Sequence, residues 1–385
     1  MSSISRRGLL KSAAIFAAAA MPATMKAQGF GRLGFIYVGT YTGNGKGIYI
    51  FRQNAGSGDL IPVDVTLNVS NPSFLAVHPN GQYLYCVNEN TDGTVSAFSI
   101  NQVNGLLTFL NSQPSGGAAP AHLSVYRPGG SSTYYVLVAN YTGSTIESIP
   151  INPDGSLGAP SDLVTHTDSL GPNTGRQDAP HPHMILADPS GRYILVNDLG
   201  QDRTYIYTLS ANGKFAAGPT PFVQSQPGSG PRHFTFHPNG EWFYSLNELL
   251  STINFYRWDA SAGSLLPEQN VSMLPAGFAG TNTAGEIKLD GPGNVLYASN
   301  RGFDTIATFG VNPKNGKLSA AQNNWTSVRG ETPRFFTPDP DSNFLYVANQ
   351  NTNNITVFDI SVHAKKPVFT GRFIGVGNPV CIVFV

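Results

Sequence analysis

The sequence predicts an all-β fold, a seven-bladed β-propeller of four-stranded blades, whose ring is closed by the C-terminal strand joining the N-terminal blade. The first observation is composition: 42 Gly, 28 Pro and only 12% charged residues in a chain of 385 indicate short strands joined by many turns. The second is an internal repeat of about 50 residues. The third is that the two chain ends supply complementary parts of one repeat.

The repeat consists of an apolar strand, a turn that carries Pro and Gly, a second apolar strand and then an asparagine. The asparagines recur at separations of 52, 57, 50, 53 and 49 residues, at Asn88, Asn140, Asn197, Asn247, Asn300 and Asn349. A third strand and a weaker outer strand follow, and four strands in about 50 residues are typical of a propeller blade. We expect these asparagines to be structural, because Asn satisfies backbone groups in loops.

The plainest copy of the repeat is the segment Gly230–Glu248, which matches a β-hairpin. Its turn is His237–Gly240, where the Asn-Gly pair suits positive φ. Because the two strands are antiparallel, Arg232 at the start of the first and Glu248 just past the end of the second must emerge at the same edge of the sheet. Every blade is expected to present two side chains there.

The two chain ends are predicted to complete one blade. Residues 35–38 match a second strand with no first strand before it, and residues 378–385 match a first strand with nothing after it. Their pairing gives seven blades and removes an exposed sheet edge. Residues 28–385 are therefore predicted to form a single domain, with residues 163–179 as an inter-blade loop over one face.

Residues 1–27 match a Tat-type signal peptide. The twin arginines Arg6 and Arg7 precede the apolar run 12–21 and a small-residue region that ends near Ala27. The apolar run is shorter than the ~20 residues needed to cross a bilayer. We expect export as a folded protein, cleavage near residue 28, a periplasmic or secreted location, and no membrane span.

Two rings of residues are predicted to meet at one face. The starts of the seven first strands, which line the channel of a propeller, give the first ring: Ser73, His122, His183, Arg232, Glu286, Arg334 and Val380. The positions after the recurrent Asn or Gly give the second ring: Thr40, Glu89, Tyr141, Asp198, Glu248, Arg301 and Gln350. A chain with few charges places three arginines, four carboxylates and two histidines here, which favours a functional cleft over a solvated polar rim.

Residues in these rings suit acid recognition and proton transfer. The guanidinium groups of Arg232 and Arg301, from successive blades, can bind a carboxylate or phosphate or stabilise an oxyanion. Glu248 can orient one of them or act as a general base, and His183 can exchange a proton near neutral pH. This combination favours acyl or lactone chemistry. The residues expected to contact substrate around them are His181, His122, Asp198, Glu286 and Arg334.

Other classes of function are disfavoured. A net charge of zero argues against nucleic acid as a partner. There is no Gly-x-Ser-x-Gly motif and no Cys/His cluster, so neither a serine nucleophile, a metal nor another cofactor is expected. A calcium site formed by Glu89, Asp198, Glu248 and loop asparagines stays open as an alternative.

The two cysteines, Cys86 and Cys381, lie in apolar strand patterns and are expected to be buried thiols, and their pairing is left open. We expect a monomer.

Four segments, in blade order, resemble the seven-bladed propeller lactonase family, which contains bacterial 6-phosphogluconolactonases and fungal carboxy-cis,cis-muconate cyclases. They are Ala-Pro-His-Pro-His at 179–183, Gly-Pro-Arg-His-Phe at 230–234, Leu-Asn-Glu at 246–248 and Ser-Asn-Arg-Gly at 299–302. The resemblance covers about residues 33–385. It implies a catalytic set of a histidine, two arginines and a glutamate: His183, Arg232, Glu248 and Arg301. His181 is the alternative to His183 as the histidine of this set.

The resemblance implies hydrolysis of a lactone at the central face of the propeller, with a sugar-acid lactone as the expected substrate. The phosphorylated substrate is implied by the family name only, because phosphogluconolactone is a cytoplasmic intermediate that an exported protein would rarely meet. The alternatives are a carboxymuconate-type cycloisomerase and a non-catalytic periplasmic propeller that binds an acidic ligand or a protein.

Overall fold

The computed structural model describes residues 34–361 and 366–385, and their strands form seven four-stranded antiparallel sheets. The segment 1–27, expected to be a signal peptide, lies outside the described residues. None of the described residues forms a helix long and apolar enough to cross a membrane.

Each sheet is one blade, and six of the seven use four consecutive strands. Blade 1 combines both chain ends: β1 (Phe35–Thr40), β2 (Gly47–Gln53), β3 (Leu60–Leu67) and β28 (Pro379–Phe384). Blade 2 contains β4 (Phe74–Val77), β5 (Tyr83–Asn88), β6 (Thr94–Ile100) and β7 (Leu107–Pro114). Blade 3 contains β8 (Pro120–Tyr126), β9 (Tyr135–Asn140), β10 (Thr145–Pro150) and β11 (Asp162–Thr165).

The remaining blades repeat the same order. Blade 4 contains β12 (Pro182–Ala187), β13 (Ile194–Asp198), β14 (Arg203–Leu209) and β15 (Phe215–Gln224). Blade 5 contains β16 (Pro231–Phe236), β17 (Trp242–Asn247), β18 (Thr252–Asp259) and β19 (Ser264–Ser272). Blade 6 contains β20 (Thr283–Leu289), β21 (Val295–Arg301), β22 (Thr305–Val311) and β23 (Leu318–Ser327). Blade 7 contains β24 (Pro333–Pro338), β25 (Phe344–Asn349), β26 (Asn354–Asp359) and β27 (Val368–Gly375).

The first strand of each blade lies at the centre of a closed ring. Strands β4, β8, β12, β16, β20, β24 and β28 each contact the next in that order, and β28 returns to β4. The C-terminal strand β28 pairs with β1, with Ile36 opposite Phe384 and Val38 opposite Ile382. The prediction of a seven-bladed propeller closed by its last strand is therefore confirmed.

The hydrophobic core lies between neighbouring blades, where buried tyrosines of the second strands bind the next blade. Tyr37 donates a hydrogen bond to the carbonyl of Gly105, at 2.8 Å, and Tyr244 donates to the carbonyl of Gly316, at 2.7 Å. Both glycines have positive φ, and a Cβ atom on Gly105 would lie within 2.5–2.8 Å of the Phe35 ring. Glycine is needed there because only it allows the turn to approach the neighbouring aromatic side chain so closely.

The recurrent asparagines hold inter-blade loops, as expected. The Asn88 side-chain amide donates to the carbonyl of Ser70 at 2.8 Å, and that of Asn140 donates to the carbonyl of Ser115 at 2.5 Å. These bonds satisfy loop carbonyls that lie outside the strands. Both cysteines are buried free thiols.

The first strands of blades 3 to 7 carry register shifts near their starts, at the end that forms the candidate site. In blade 5 the shift lies between Pro231 and Phe234, and in blade 7 between Pro333 and Phe335. Such β-bulges interrupt the alternation of side chains and turn an extra residue toward one face. In blade 5 the consequence is that two adjacent residues, Arg232 and His233, both line the channel.

Candidate active site

The centre of the candidate site is the carboxylate of Glu248, which contacts three arginines. Its Oε2 atom lies 3.0 Å from Nε of Arg232 and 2.9 Å from Nη2 of Arg301. Its Oε1 atom accepts a hydrogen bond of 2.5 Å from Nη2 of Arg176. Arg232 comes from the start of β16, Glu248 follows β17, and Arg301 ends β21, so neighbouring strand ends of two blades place the groups together.

Burial and charge act in opposite directions on this cluster. Burial alone would raise the pKa of Glu248, but Arg301 and Arg232 outweigh it and hold that pKa well below its ordinary value. Burial and the charges of Arg301 and Arg334 lower the pKa of Arg232 to about 9. Glu248 is therefore an anion with little tendency to take a proton, and it holds the arginines in place.

The backbone carbonyls of blade 6 complete the fixation of the arginines. Nη1 of Arg232 donates to the carbonyl of Gly285, and Nη2 of Arg301 donates to that of Ala284 at 2.6 Å. The Nε atom of Arg301 is buried and has no hydrogen-bond partner among the described residues, whereas that of Arg232 lies beside Oε2 of Glu248. Arg301 thus keeps a donor that the protein does not use, and guanidinium donors of this kind can bind an anion or oxyanion.

His183 and His181 have different surroundings, although they are two residues apart. The ring of His181 stacks on Tyr141 at 4.3 Å, and its two nitrogens lie 2.8 Å from the Tyr141 carbonyl and 3.1 Å from Asp178. The ring nitrogens of His183 have no hydrogen-bond partner among the described residues, and its Nδ1 is buried. Burial and the charge of Arg232 hold the pKa of His183 well below its ordinary value. The imidazole of His183 is therefore neutral near pH 7.

A second group of polar residues lies deeper in the channel. His233 Nδ1 lies 2.9 Å from Oε2 of Glu286, and the His233 ring lies 5.0 Å from that of His183 and 5.6 Å from that of His122. Glu286 is fully buried and also accepts a hydrogen bond from the Ile287 amide. Burial lowers the pKa of His122 to about 3.

The sequence prediction placed His122 and Glu286 at the mouth of the site, but the structure places both elsewhere. The position of blade 3 beside Arg232 and Arg334 is taken by Ala121. His122 instead lines the cavity at the opposite end of the channel, with Lys288. The reason is the set of bulges, which shift the register of individual first strands by one residue.

On the other side of the mouth, Tyr41 connects Arg334 with Glu89. The Tyr41 hydroxyl donates to Oε2 of Glu89 at 2.7 Å, and the guanidinium of Arg334 lies 5.2 Å from the centre of the Tyr41 ring. Burial alone would lower the pKa of Arg334, but the neighbouring Tyr41 and Glu89 outweigh it and raise that pKa. Arg334 is therefore a permanent cation at the rim of the cleft.

A small, largely enclosed cavity lies between these groups on the channel axis. Its lining combines first-strand residues of blades 1, 2, 3, 5 and 7 with one carboxylate: Ser73, Phe74, Glu89, Ala121, Arg232, His233, Arg334, Phe335 and Val380. The Oγ atom of Ser73 and Nε2 of His233 are buried without a partner among the described residues. Polar atoms thus converge on a space of about 10 Å³, which has room for roughly one water molecule.

Asp198, predicted to contact substrate, is instead part of the scaffold. Its Oδ2 atom lies 2.6 Å from Nδ1 of His166, and its Oδ1 atom accepts hydrogen bonds from the backbone amides of His181 and Gln201. The side chain is fully buried, so both carboxylate oxygens serve the fold. Its effect on the site is to fix the backbone just before His183.

The residues of the alternative calcium site do not come together. Glu89 is engaged by Tyr41, Asp198 by His166 and Glu248 by the arginines. In residues 34–361 and 366–385, no group of three or more His, Cys, Asp or Glu side chains is arranged to hold a metal ion.

Three residues of the site were absent from the sequence prediction. Arg176 lies in the connection between β11 and β12, where the repeat gives no register. On a regular strand the side chains of His233 and Arg232 would point to opposite faces, and the bulge overrides that alternation. Tyr41 follows Thr40 at the end of β1. Of these three residues, only His233 could have been found from the sequence, because it follows Arg232 in the Pro-Arg-His segment of the plainest repeat.

Comparison with known proteins agrees with this architecture. Residues 35–384 match the family model described as lactonase, 7-bladed beta-propeller. The chain is 34% identical over 351 residues to the 6-phosphogluconolactonase of Bacillus subtilis, covering 90% of this chain and 97% of that protein. It is 34% identical over 340 residues to the 6-phosphogluconolactonase of Formosa agariphila, covering 86% and 94%.

A solved structure supports the same assignment. The Pseudomonas aeruginosa periplasmic gluconolactonase PpgL superposes with a TM-score of 0.85 at 31% identity, covering 91% of this chain and 98% of that one. A match over nearly the whole propeller, at this level of identity, leaves the family in no doubt. The chain belongs to the seven-bladed β-propeller lactonase family.

Proposed function

We propose that this protein hydrolyses a lactone, of the sugar-acid type, in the cleft formed by Glu248 and its arginines. The observation that carries the proposal is that Glu248 holds two guanidinium groups, Arg232 and Arg301, beside a neutral histidine, His183, whose pKa Arg232 helps to lower. Relatives named 6-phosphogluconolactonase and gluconolactonase support the reaction class.

In the proposed mechanism the arginines act on the oxygen atoms of the lactone. Attack of water on the ring carbonyl places negative charge on the carbonyl oxygen, and guanidinium donors held in place beforehand stabilise that charge. Glu248 contributes by fixing Arg232 and Arg301, since a carboxylate bound to three arginines is a poor base. The arginines then bind the carboxylate of the opened product.

His183 is proposed as the general base. Its imidazole is neutral at pH 7 because burial and Arg232 disfavour the charged form, and its nitrogens are not engaged by other side chains. It can take the proton of the attacking water and return it to the ring oxygen as the C–O bond breaks. His181 is not suited to this role, because both of its nitrogens already have partners.

The test is proton release from a panel of lactones by the purified chain. δ-Gluconolactone, 6-phosphogluconolactone and a carboxymuconolactone are compared with the spontaneous reaction, and Arg257→Gln, which alters an exposed ion pair with Glu268, is the control. We expect turnover of a sugar lactone that Arg301→Gln reduces and Arg257→Gln does not.

No turnover above background refutes hydrolysis. Cyclisation of a muconate without hydrolysis supports the cycloisomerase instead, and ligand-dependent thermal shifts without any turnover support a binding protein.

We also propose that residues 1–27 direct export to the periplasm by the twin-arginine route. The proposal rests on Arg6 and Arg7 ahead of a short apolar run. Fusion of residues 1–27 to a folded reporter tests it: we expect the reporter in the periplasm, and in the cytoplasm when both arginines are changed to lysine. Export that survives this change contradicts the proposal.

A further inference from the structure

Arg176 is an arginine of the site that the repeat does not supply. It lies on the long connection between blades 3 and 4, and its side chain is 41% exposed, whereas that of its partner Glu248 is 4% exposed. Arg176 therefore covers the buried carboxylate from the solvent side. Its two inner counterparts, Arg232 and Arg301, contact the other carboxylate oxygen.

The turn that carries Arg176 is anchored, so the guanidinium is presented from a fixed base. The next residue, Gln177, is almost fully buried and donates hydrogen bonds of 2.8 Å to the Leu199 carbonyl and to Asp202. The amide of Arg176 donates to the Asn173 carbonyl at 3.0 Å. An arginine held in this way loses little conformational entropy when it binds a ligand.

Only one nitrogen of Arg176 is in use. Nη2 donates to Glu248 and, at 3.3 Å, to the hydroxyl of Tyr141. Its Nη1 and Nε atoms make no hydrogen bond with the described residues, and the side chain is partly exposed at the opening of the cleft. The free edge of the guanidinium has the donor geometry that binds phosphate or carboxylate oxygens in pairs.

We propose that Arg176 is the specificity residue for lactones that carry an anionic substituent, a phosphate or a second carboxylate. This assignment rests on the proposed function. The two inner arginines, Arg232 and Arg301, act at the lactone carbonyl, and the partly exposed Arg176 binds the charged substituent at the rim. Glu248 lies between Arg176 and the pair Arg232 and Arg301. A substrate bound in this way therefore extends from the channel mouth toward the turn that carries Arg176.

The test is the ratio of kcat/KM for 6-phosphogluconolactone to that for δ-gluconolactone. We expect Arg176→Gln to lower this ratio about tenfold or more, as loss of a charge-assisted contact does, with most of the loss in KM. Arg176→Lys should recover part of the ratio, because it keeps the charge. Arg203→Gln, which breaks an ion pair with Asp168 on the same connection, is the matched control and should leave the ratio unchanged.

The outcomes separate this assignment from the proposed function. An equal loss for both lactones in Arg176→Gln overturns the assignment, because it shows that Arg176 serves only to hold Glu248. If neither lactone is hydrolysed, titration of the full chain with 6-phosphogluconate and gluconate still tests Arg176. Tighter binding of the phosphorylated acid, lost in Arg176→Gln, supports the assignment, and equal affinities for the two acids overturn it.

Discussion

Oε2 of Glu248 lies 3.0 Å from Nε of Arg232, and both side chains are at least 95% buried. We predict that Glu248→Gln lowers the free energy of unfolding by about 3–5 kcal/mol, because it leaves buried guanidinium groups without a counter-charge. The measurement is urea unfolding followed by circular dichroism. Glu268→Gln, at the exposed ion pair with Arg257, is the control, with an expected change below about 1 kcal/mol. Equal effects of the two variants would contradict this account.

The second prediction concerns His183. We expect His183→Gln to lower kcat by about 10²–10⁴-fold, the usual contribution of a general base, while the free energy of unfolding changes little by comparison. Steady-state kinetics on the best lactone of the panel measure the effect. His237→Gln, in the turn of β16 and β17 at the far end of the hairpin, is the control and should retain wild-type kcat. Similar rates in both variants would exclude His183 as the base.

The third prediction is the shape of the pH–rate profile. His183 acts in its neutral form, which is present above its pKa, and burial together with Arg232 holds that pKa well below 6.5. The rate should therefore stay level from pH 8 to pH 6, where an ordinary histidine base would lose most of its activity. The measurement is kcat/KM across this range, corrected for spontaneous hydrolysis. A fall centred near pH 6.5 would mean that the base is a solvated histidine.

The sequence was sufficient for the blades and for the centre of the site because both follow from strand geometry. The repeat fixes which strands pair, and antiparallel pairing then places Arg232 and Glu248 at the same edge. The register of the repeat from blade 5 to blade 6 places Arg301 at that edge as well. These features depend on the length of the repeat and the direction of the strands, which can be read from the sequence.

The remaining site residues depend on local irregularities that a sequence does not contain. A single-residue bulge decides whether Ala121 or His122 faces the cleft, and a bulge adds His233 to it. Asp198 occupies a position of the second predicted ring of residues. Its carboxylate contacts His166, a loop residue, and therefore serves the fold. Arg176 reaches the site from a connection without any repeat.

The fourth prediction concerns Glu147, a carboxyl group on β10 that is 4% exposed and has no hydrogen bond with the described residues. Burial raises its pKa from 4.5 to about 7. The folded state thus binds more protons than the unfolded state between these values, so its stability falls as the pH rises through this window. The loss is at most about 3 kcal/mol.

Urea unfolding at pH 5 and pH 8 measures this effect. We expect the stability of the wild type relative to Glu147→Gln to decrease from pH 5 to pH 8, because the glutamine does not titrate. Glu331→Gln, at an exposed position, should follow the wild type at both pH values. A difference between wild type and Glu147→Gln that is the same at both pH values would show that Glu147 titrates normally.

The last prediction tests the closure of the ring. Removal of residues 379–385 takes away β28, whose Val380, Cys381 and Ile382 are at most 3% exposed, and leaves the edge of β1 unpaired. Burial of an aliphatic side chain contributes about 1.5–3 kcal/mol, so the loss is a large part of a typical total of about 5–15 kcal/mol. We expect a lower urea midpoint and aggregation through the open edge, measured by light scattering. A peptide of residues 378–385 should reverse both effects by filling the vacant strand position, whereas a scrambled peptide should not. A truncated chain with the midpoint and scattering of the full-length protein would show that β28 does not hold the ring closed.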